Sequence, residues 1–210
     1  MLKKSLLSLV ALTAACSAAP VIAASADFYG VVSVGRAKLD NNPGSIDTYN
    51  LSHGFTTSST TTNSGATAGK LQLGYNLGKT FALEGGYNYL GKVDFTSTTD
   101  LGTIVGSKEA QLVNLDLVGK FPLNEQFSLL GRVGAYYWKT KSEMPRAAPV
   151  GTTKVDDNGF DFKVGAGLQY DFNPRWGIRG EYERFNGVGK NTSSGDSKVN
   201  QLTVGAVLKF

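Results

Sequence analysis

Apolar residues in this chain fall again and again at every second position. The longest case is residues 160–172. There Phe160, Phe162, Val164, Ala166, Leu168, Tyr170 and Phe172 share one parity, and Asp161, Lys163, Gly165, Gly167, Gln169 and Asp171 share the other. A period of two marks a strand whose two faces meet different surroundings. The same alternation runs through residues 71–77, 81–89, 113–121, 127–137, 176–182 and 202–210. Residues 28–39 supply an eighth strand, but valine stands on both of its parities, so its facing is open. No stretch after residue 26 repeats with a helical period, and none has the roughly 18 consecutive apolar residues a spanning helix needs.

The breaks between strands alternate in length. Residues 78–80, 122–126 and 173–175 read as tight turns, whereas 40–66, 96–109, 142–158 and 186–197 read as long polar loops rich in Ser, Thr, Asn and Gly. An even number of strands, with short turns at one end and long loops at the other, predicts an all-β fold. Its form is an eight-stranded antiparallel up-and-down transmembrane β-barrel. Aromatic residues mark the turn end: Tyr75 and Phe81 flank the first turn, Phe121 and Phe127 the second, Phe172 and Trp176 the third. Phe28 and Phe210 stand at the ends of the strand region. Such a girdle is expected where amphipathic rings meet lipid headgroups. A second set (Tyr89, Phe95, Tyr137, Phe160 and Tyr182) lies about 9–11 residues away, the length of one tilted membrane strand. A soluble barrel would show the same alternation with its apolar parity inside, but would need no girdle.

The first residues bear on compartment. Lys3 and Lys4 precede a short apolar stretch, Pro20 interrupts it, and Ala24-Ser25-Ala26 has the small-x-small form of a cleavage site. We therefore expect residues 1–26 to be a signal peptide and 27–210 the barrel. Taking Lys3 and Lys4 from the 21 basic residues leaves 19 against 17 acidic ones, a net charge of +2 that gives no reason to expect nucleic acid as a partner. The single cysteine, Cys16, falls in the signal, and Thr13 stands where a lipidation motif wants a large aliphatic residue. No metal site or cofactor is expected.

The segments LQLGYNLGKTFALEGGYNYLGKVDF (71–95), LVNLDLVGKFPLNEQFSLLGRVGAYYWK (112–139) and GAGLQYDFNPRWGIRGEYERF (165–185) resemble the transmembrane domain of the outer-membrane protein A family. The resemblance implies a lumen network of Glu, Arg and Lys, and Glu84, Arg132, Arg179 and Glu181 fall at matching positions. Val118 and Gln169 stand where that family usually has lysine and glutamate, which puts its exchange of salt-bridge partners in doubt here. The family's periplasmic cell-wall-binding domain has no counterpart in the sequence, so tethering to the wall is not expected.

Parity alone points Lys70, Glu84, Asp116, Lys120, Arg132, Lys163, Arg179, Glu181 and Glu183 inward. Of these, Glu84, Asp116, Arg132, Lys163, Arg179 and Glu181 are the candidate lumen network. They line an ion path or form a static plug, and the plug is favoured because eight strands leave a bore that side chains fill. His53, beside the Ser/Thr tract 56–63, is the only histidine, and no nucleophile motif accompanies it, so no catalytic residue is assigned. Asn191-Thr192-Ser193 has the form of a glycosylation sequon but reads as loop composition.

The expectation is a non-enzymatic outer-membrane barrel with a charge-plugged lumen and four displayed loops. A small passive pore comes second and a lipid A-modifying enzyme third. Expected partners are outer-membrane lipid and lipopolysaccharide, the barrel assembly machinery through the C-terminal strand, and a host surface or phage through the loops. Both termini should be periplasmic.

Overall fold

The computed structural model describes residues 27–40, 56–62, 65–99, 102–145, 152–188 and 197–210. The expected signal peptide, Cys16, His53 and the 191–193 sequon lie outside them. The elements are β1 Phe28–Asp40, β2 Ser58–Thr62, β3 Gly65–Asn76, β4 Phe81–Thr99, β5 Gly102–Pro122, β6 Phe127–Pro145, β7 Thr152–Asp171, β8 Trp176–Val188 and β9 Ser197–Lys209. Every pairing is antiparallel. Eight strands, all but β2, form a ring that closes where β1 meets both β3 and β9 and β4 meets β5. β2 pairs with β4 beyond the end of β3 and continues that edge. The closing seam ends with the Phe210 amide donating to the Phe28 carbonyl at 3.0 Å.

Local chemistry sets the tight turns. In PLNEQF and DFNPRW an asparagine side chain holds the turn: Asn124 Oδ1 accepts from the amides of Gln126 and Phe127 at 2.9 and 2.7 Å. Asn173 Oδ1 accepts from those of Arg175 and Trp176, both at 2.9 Å. Asparagine does this because its short amide mimics a backbone acceptor.

The outer wall is apolar over most of its height. Leu71, Leu83, Leu117, Val133, Phe162, Ile178 and Val204 are each between 40% and 63% exposed, a display no water-soluble barrel would tolerate. Tyr75, Phe81, Phe121, Phe127, Phe172 and Trp176 all point outward at the turn end. Phe28 stacks on Tyr75 with ring centroids 4.8 Å apart, and Phe210 lies over Gly30.

One facing left open is now settled, and one expectation needs correction. In β1, Tyr29, Val31, Ser33 and Ala37 point inward, and Val34, Arg36 and Lys38 point outward. The expected loops 96–109 and 142–158 are largely paired strand, since β4 and β5 stay in register to Thr99↔Gly102 and β6 and β7 to Pro145↔Thr152. Their Ser/Thr/Asn composition reads as loop, yet outward positions of a strand that has left the membrane are polar for the same reason.

Candidate functional site

Six strands send charged side chains to one level of the bore: Lys70 from β3, Glu84 from β4, Asp116 from β5, Arg132 from β6, Lys163 from β7, and Arg179, Glu181 and Glu183 from β8. All eight side chains are at most 1% exposed. Arg132 sits at the centre, its guanidinium 2.7 Å from Glu84, 3.1 Å from Asp116 and 3.2 Å from Glu183, with Glu181 also against it. Lys163 joins Glu183 at 2.5 Å and Asp116 at 2.9 Å. Lys70 joins Glu183 at 2.7 Å and also pairs with Glu181. Arg179 holds Glu84 at 2.6 Å and donates twice to Gln169 Oε1, at 3.0 and 2.8 Å. The Tyr29 hydroxyl donates to Glu84 at 2.7 Å, and Asn114 donates to Asp116 at 2.9 Å.

Four cations therefore meet four carboxylates, and each ion has an opposite partner. Burying such ions costs several kcal/mol apiece unless partners and hydrogen bonds compensate, and multiple charge-assisted bonds per group are the arrangement that compensates. Glycine makes the room. A Cβ at Gly134 would collide with the Asp116 carboxylate, and one at Gly165 would come within 3.0 Å of both Glu183 and Arg132.

Apolar layers bound the ionic one on both sides. Toward the turn end lie Tyr29, Val31, Ala82, Val118, Leu130 and Val207. Toward the loop end Leu90, Leu112, Tyr136, Trp138, Phe185 and Val199 form part of a larger buried cluster. Apolar surroundings of this kind make each pair stronger than it would be in water. Below the lower layer, a cavity of about 200 Å³ opens at the turn-end mouth. Its wall carries Lys120, which donates to Asn76 at 2.6 Å, and the Lys209–Asp171 pair at 2.6 Å.

All six candidate network residues come together. Lys120, also inward by parity, does not join them and stands at the mouth. Lys70 and Glu183 complete the charge balance, and only their parity announced them. Val118 contributes to an apolar layer, and Gln169 serves Arg179 as a neutral acceptor. Sequence reasoning missed the loop-end apolar cluster, whose one signal was the consecutive aromatic run Tyr136, Tyr137 and Trp138.

An apolar outer wall on a closed ring of strands around a buried ionic layer defines a small transmembrane β-barrel. Among the described residues no helix is long and apolar enough to cross a membrane. The chain belongs to the outer membrane protein β-barrel domain family, whose profile matches residues 7–210. It is therefore an outer-membrane barrel of the bacterial type. Outer membrane protein A of Shigella flexneri is 26% identical over 140 residues, covering 65% of this chain, and the chain spans 38% of that relative's length. Neisserial surface protein A superposes with a TM-score of 0.55 at 13% identity, over 89% of this chain and 98% of that one. OprG from Pseudomonas aeruginosa superposes at 0.53 and 12% identity, over 88% and 96%.

Proposed function

We propose that the protein is a structural outer-membrane barrel, neither an enzyme nor an open pore, whose bore is closed by its ion network and whose loop end is displayed outside the cell. The balanced set of four buried cations and four buried carboxylates tying β3 through β8 carries this reading. In it, the turn end and both termini face the periplasm, residues 1–26 direct export, and the turn-end aromatics from Tyr75 to Phe210 form the inner headgroup girdle. The partners are the surrounding lipid, lipopolysaccharide in the outer leaflet, the assembly machinery reading the end of β9, and a host surface or phage at the loops.

Single-channel recording in planar bilayers tests the closed bore. The unmutated protein should show no long-lived, large openings, and Arg179→Ala should introduce them. A small passive pore is the second reading. It draws on the wall of β1, β3 and β9, where Ser33, Gln72, Gln201 and Thr203 carry buried polar atoms without a protein partner. Sustained conductance of the unmutated protein would decide for that reading.

A further inference from the structure

The outer wall carries cations in two sectors near the loop end, and the strand register treats them differently. In one sector Lys92 of β4 and Lys141 of β6 both stand opposite Glu109 of β5, and Lys141 also stands opposite Asp156 of β7. In the other, Arg36 of β1 stands between Thr67 and Leu202, and Lys38 between Gly65 and Asn200. Arg184 of β8 stands between Asn200 and Val164. Lys38 and Arg184 flank the same Asn200, two strand spacings or about 10 Å apart. All three cations are exposed, and unlike Lys92 and Lys141 none of them has a carboxylate as a register partner.

Their height is as informative as their isolation. Arg36 is level with Leu202, which is 63% exposed, and Leu202 is in turn opposite Tyr182. Arg184 is the next outward residue after Tyr182 and faces Val164, above which β7 still presents Phe162 and Phe160. The three cations are therefore set into the upper rim of the apolar wall and not out on the loops. Long basic side chains at such a rim place their charge at headgroup level. An uncompensated triple charge there is complementary to anions held in the same plane, and guanidinium forks match phosphate oxygens.

We infer that Arg36, Lys38 and Arg184 form a docking shelf for the phosphates of the phosphorylated glycolipid of the outer leaflet. The inference rests on the proposed orientation, with the loop end outward. The full chain, refolded in zwitterionic micelles and checked by its shifted migration without boiling, is titrated with bisphosphorylated lipid A and with the dephosphorylated lipid. Each cation near an anionic headgroup is worth about fivefold in affinity. On that basis the R36Q/K38Q/R184Q triple variant should lose about tenfold to a hundredfold, and the K92Q/K141Q double variant less than about twofold. The dephosphorylated lipid should bind the unmutated protein as weakly as the bisphosphorylated lipid binds the triple variant. Inorganic phosphate at millimolar concentration should not compete, which separates a lipid headgroup from a free anion.

Binding to the unmutated protein should also weaken steeply with salt, because surface charges are screened within about 8 Å at physiological ionic strength. That measurement judges the shelf even if the triple variant fails to refold. Equal losses in the triple and the double variant, tight binding of the dephosphorylated lipid, competition by phosphate or salt-independent binding would each overturn the shelf. Surface labelling of cells carrying Thr96→Cys reads the orientation separately. A periplasmic answer there, with shelf binding intact in micelles, would refute the orientation alone.

Discussion

The turn-end two thirds of the barrel and its loop-end section are built from the same strands, yet their polarities are opposite. On β8, Trp176, Ile178 and Tyr182 face out while Arg179, Glu181 and Glu183 face in; one step farther, Arg184 faces out and Phe185 in. On β6, Leu129, Val133 and Tyr137 face out around an inward Arg132, and beyond them Lys139 and Lys141 face out around an inward Trp138. The switch falls on register partners, with Tyr137 opposite Phe160 and Lys139 opposite Asn158. From β5 through β7 pairing continues unbroken through it, so backbone hydrogen bonding does not distinguish the two regions there. The medium does. Against hydrocarbon, an apolar outer wall is favourable and the bore is held by paired charges. Against water, the apolar residues must turn inward and the bore becomes an ordinary core.

The two interiors should then fail in different ways. The largest loss is expected for Arg132→Met, which leaves four carboxylates with three cations in a dry layer and should cost about 3–5 kcal/mol. A urea titration of refolding into phospholipid vesicles measures it, and a loss below about 1 kcal/mol would mean that charge pairing does not hold the lower bore. Next comes Leu112→Ala in the loop-end core, where the cavity costs about 2–5 kcal/mol. Leu115→Ala, three residues along the same strand but facing lipid, should cost clearly less because acyl chains fill the space. Equal losses at these sites would erase the distinction between the regions.

The lower region was legible in the sequence and the upper one was not, for a single physical reason. Where one parity is apolar and the other polar, alternation assigns the faces, as it does for residues 160–172 and 202–210. It says only that the faces differ, and the aromatic residues beside the turns supplied which face met lipid. Above Tyr182 and Tyr137 the apolar parity moves to the other side, so the pattern breaks and Thr96, Asn158 and their neighbours read as loop. Around Val31, Val32 and Val34 both parities are apolar, and facing became readable only from the register. The members of the ion network were legible from parity. Their pairing was not, because Lys70 and Glu181 are 111 residues apart and meet only in the closed barrel.

The outer walls can be compared in the same way. Leu117→Arg places a charge near the middle of the lipid-facing wall and should cost about 2–4 kcal/mol. Thr96→Arg, outward on the loop-end section, should stay within about 0.5 kcal/mol. Refolding midpoints at equal lipid concentration give both numbers, and similar values would place the two residues in one medium.

The smallest effect sharpens the contrast most, because it sets like interactions in the two media side by side. Lys141 stands on the outer wall opposite Glu109 and Asp156, much as Arg132 stands in the bore among four carboxylates. In water the attraction is weakened by the solvent and offset by the entropy of holding exposed side chains, so Lys141→Gln should cost at most about 1 kcal/mol. That cost should vanish as salt rises toward about 1 M, where charges are screened beyond roughly 3 Å. The cost of Arg132→Met should hardly change over the same range, since ions do not reach a layer closed above and below by apolar side chains. Measured side by side, a salt-sensitive Lys141 and a salt-indifferent Arg132 would separate the two regions by medium alone. An Arg132 cost that falls with salt would mean that bulk electrolyte reaches the bore, and with it the closed barrel would have to give way to the pore.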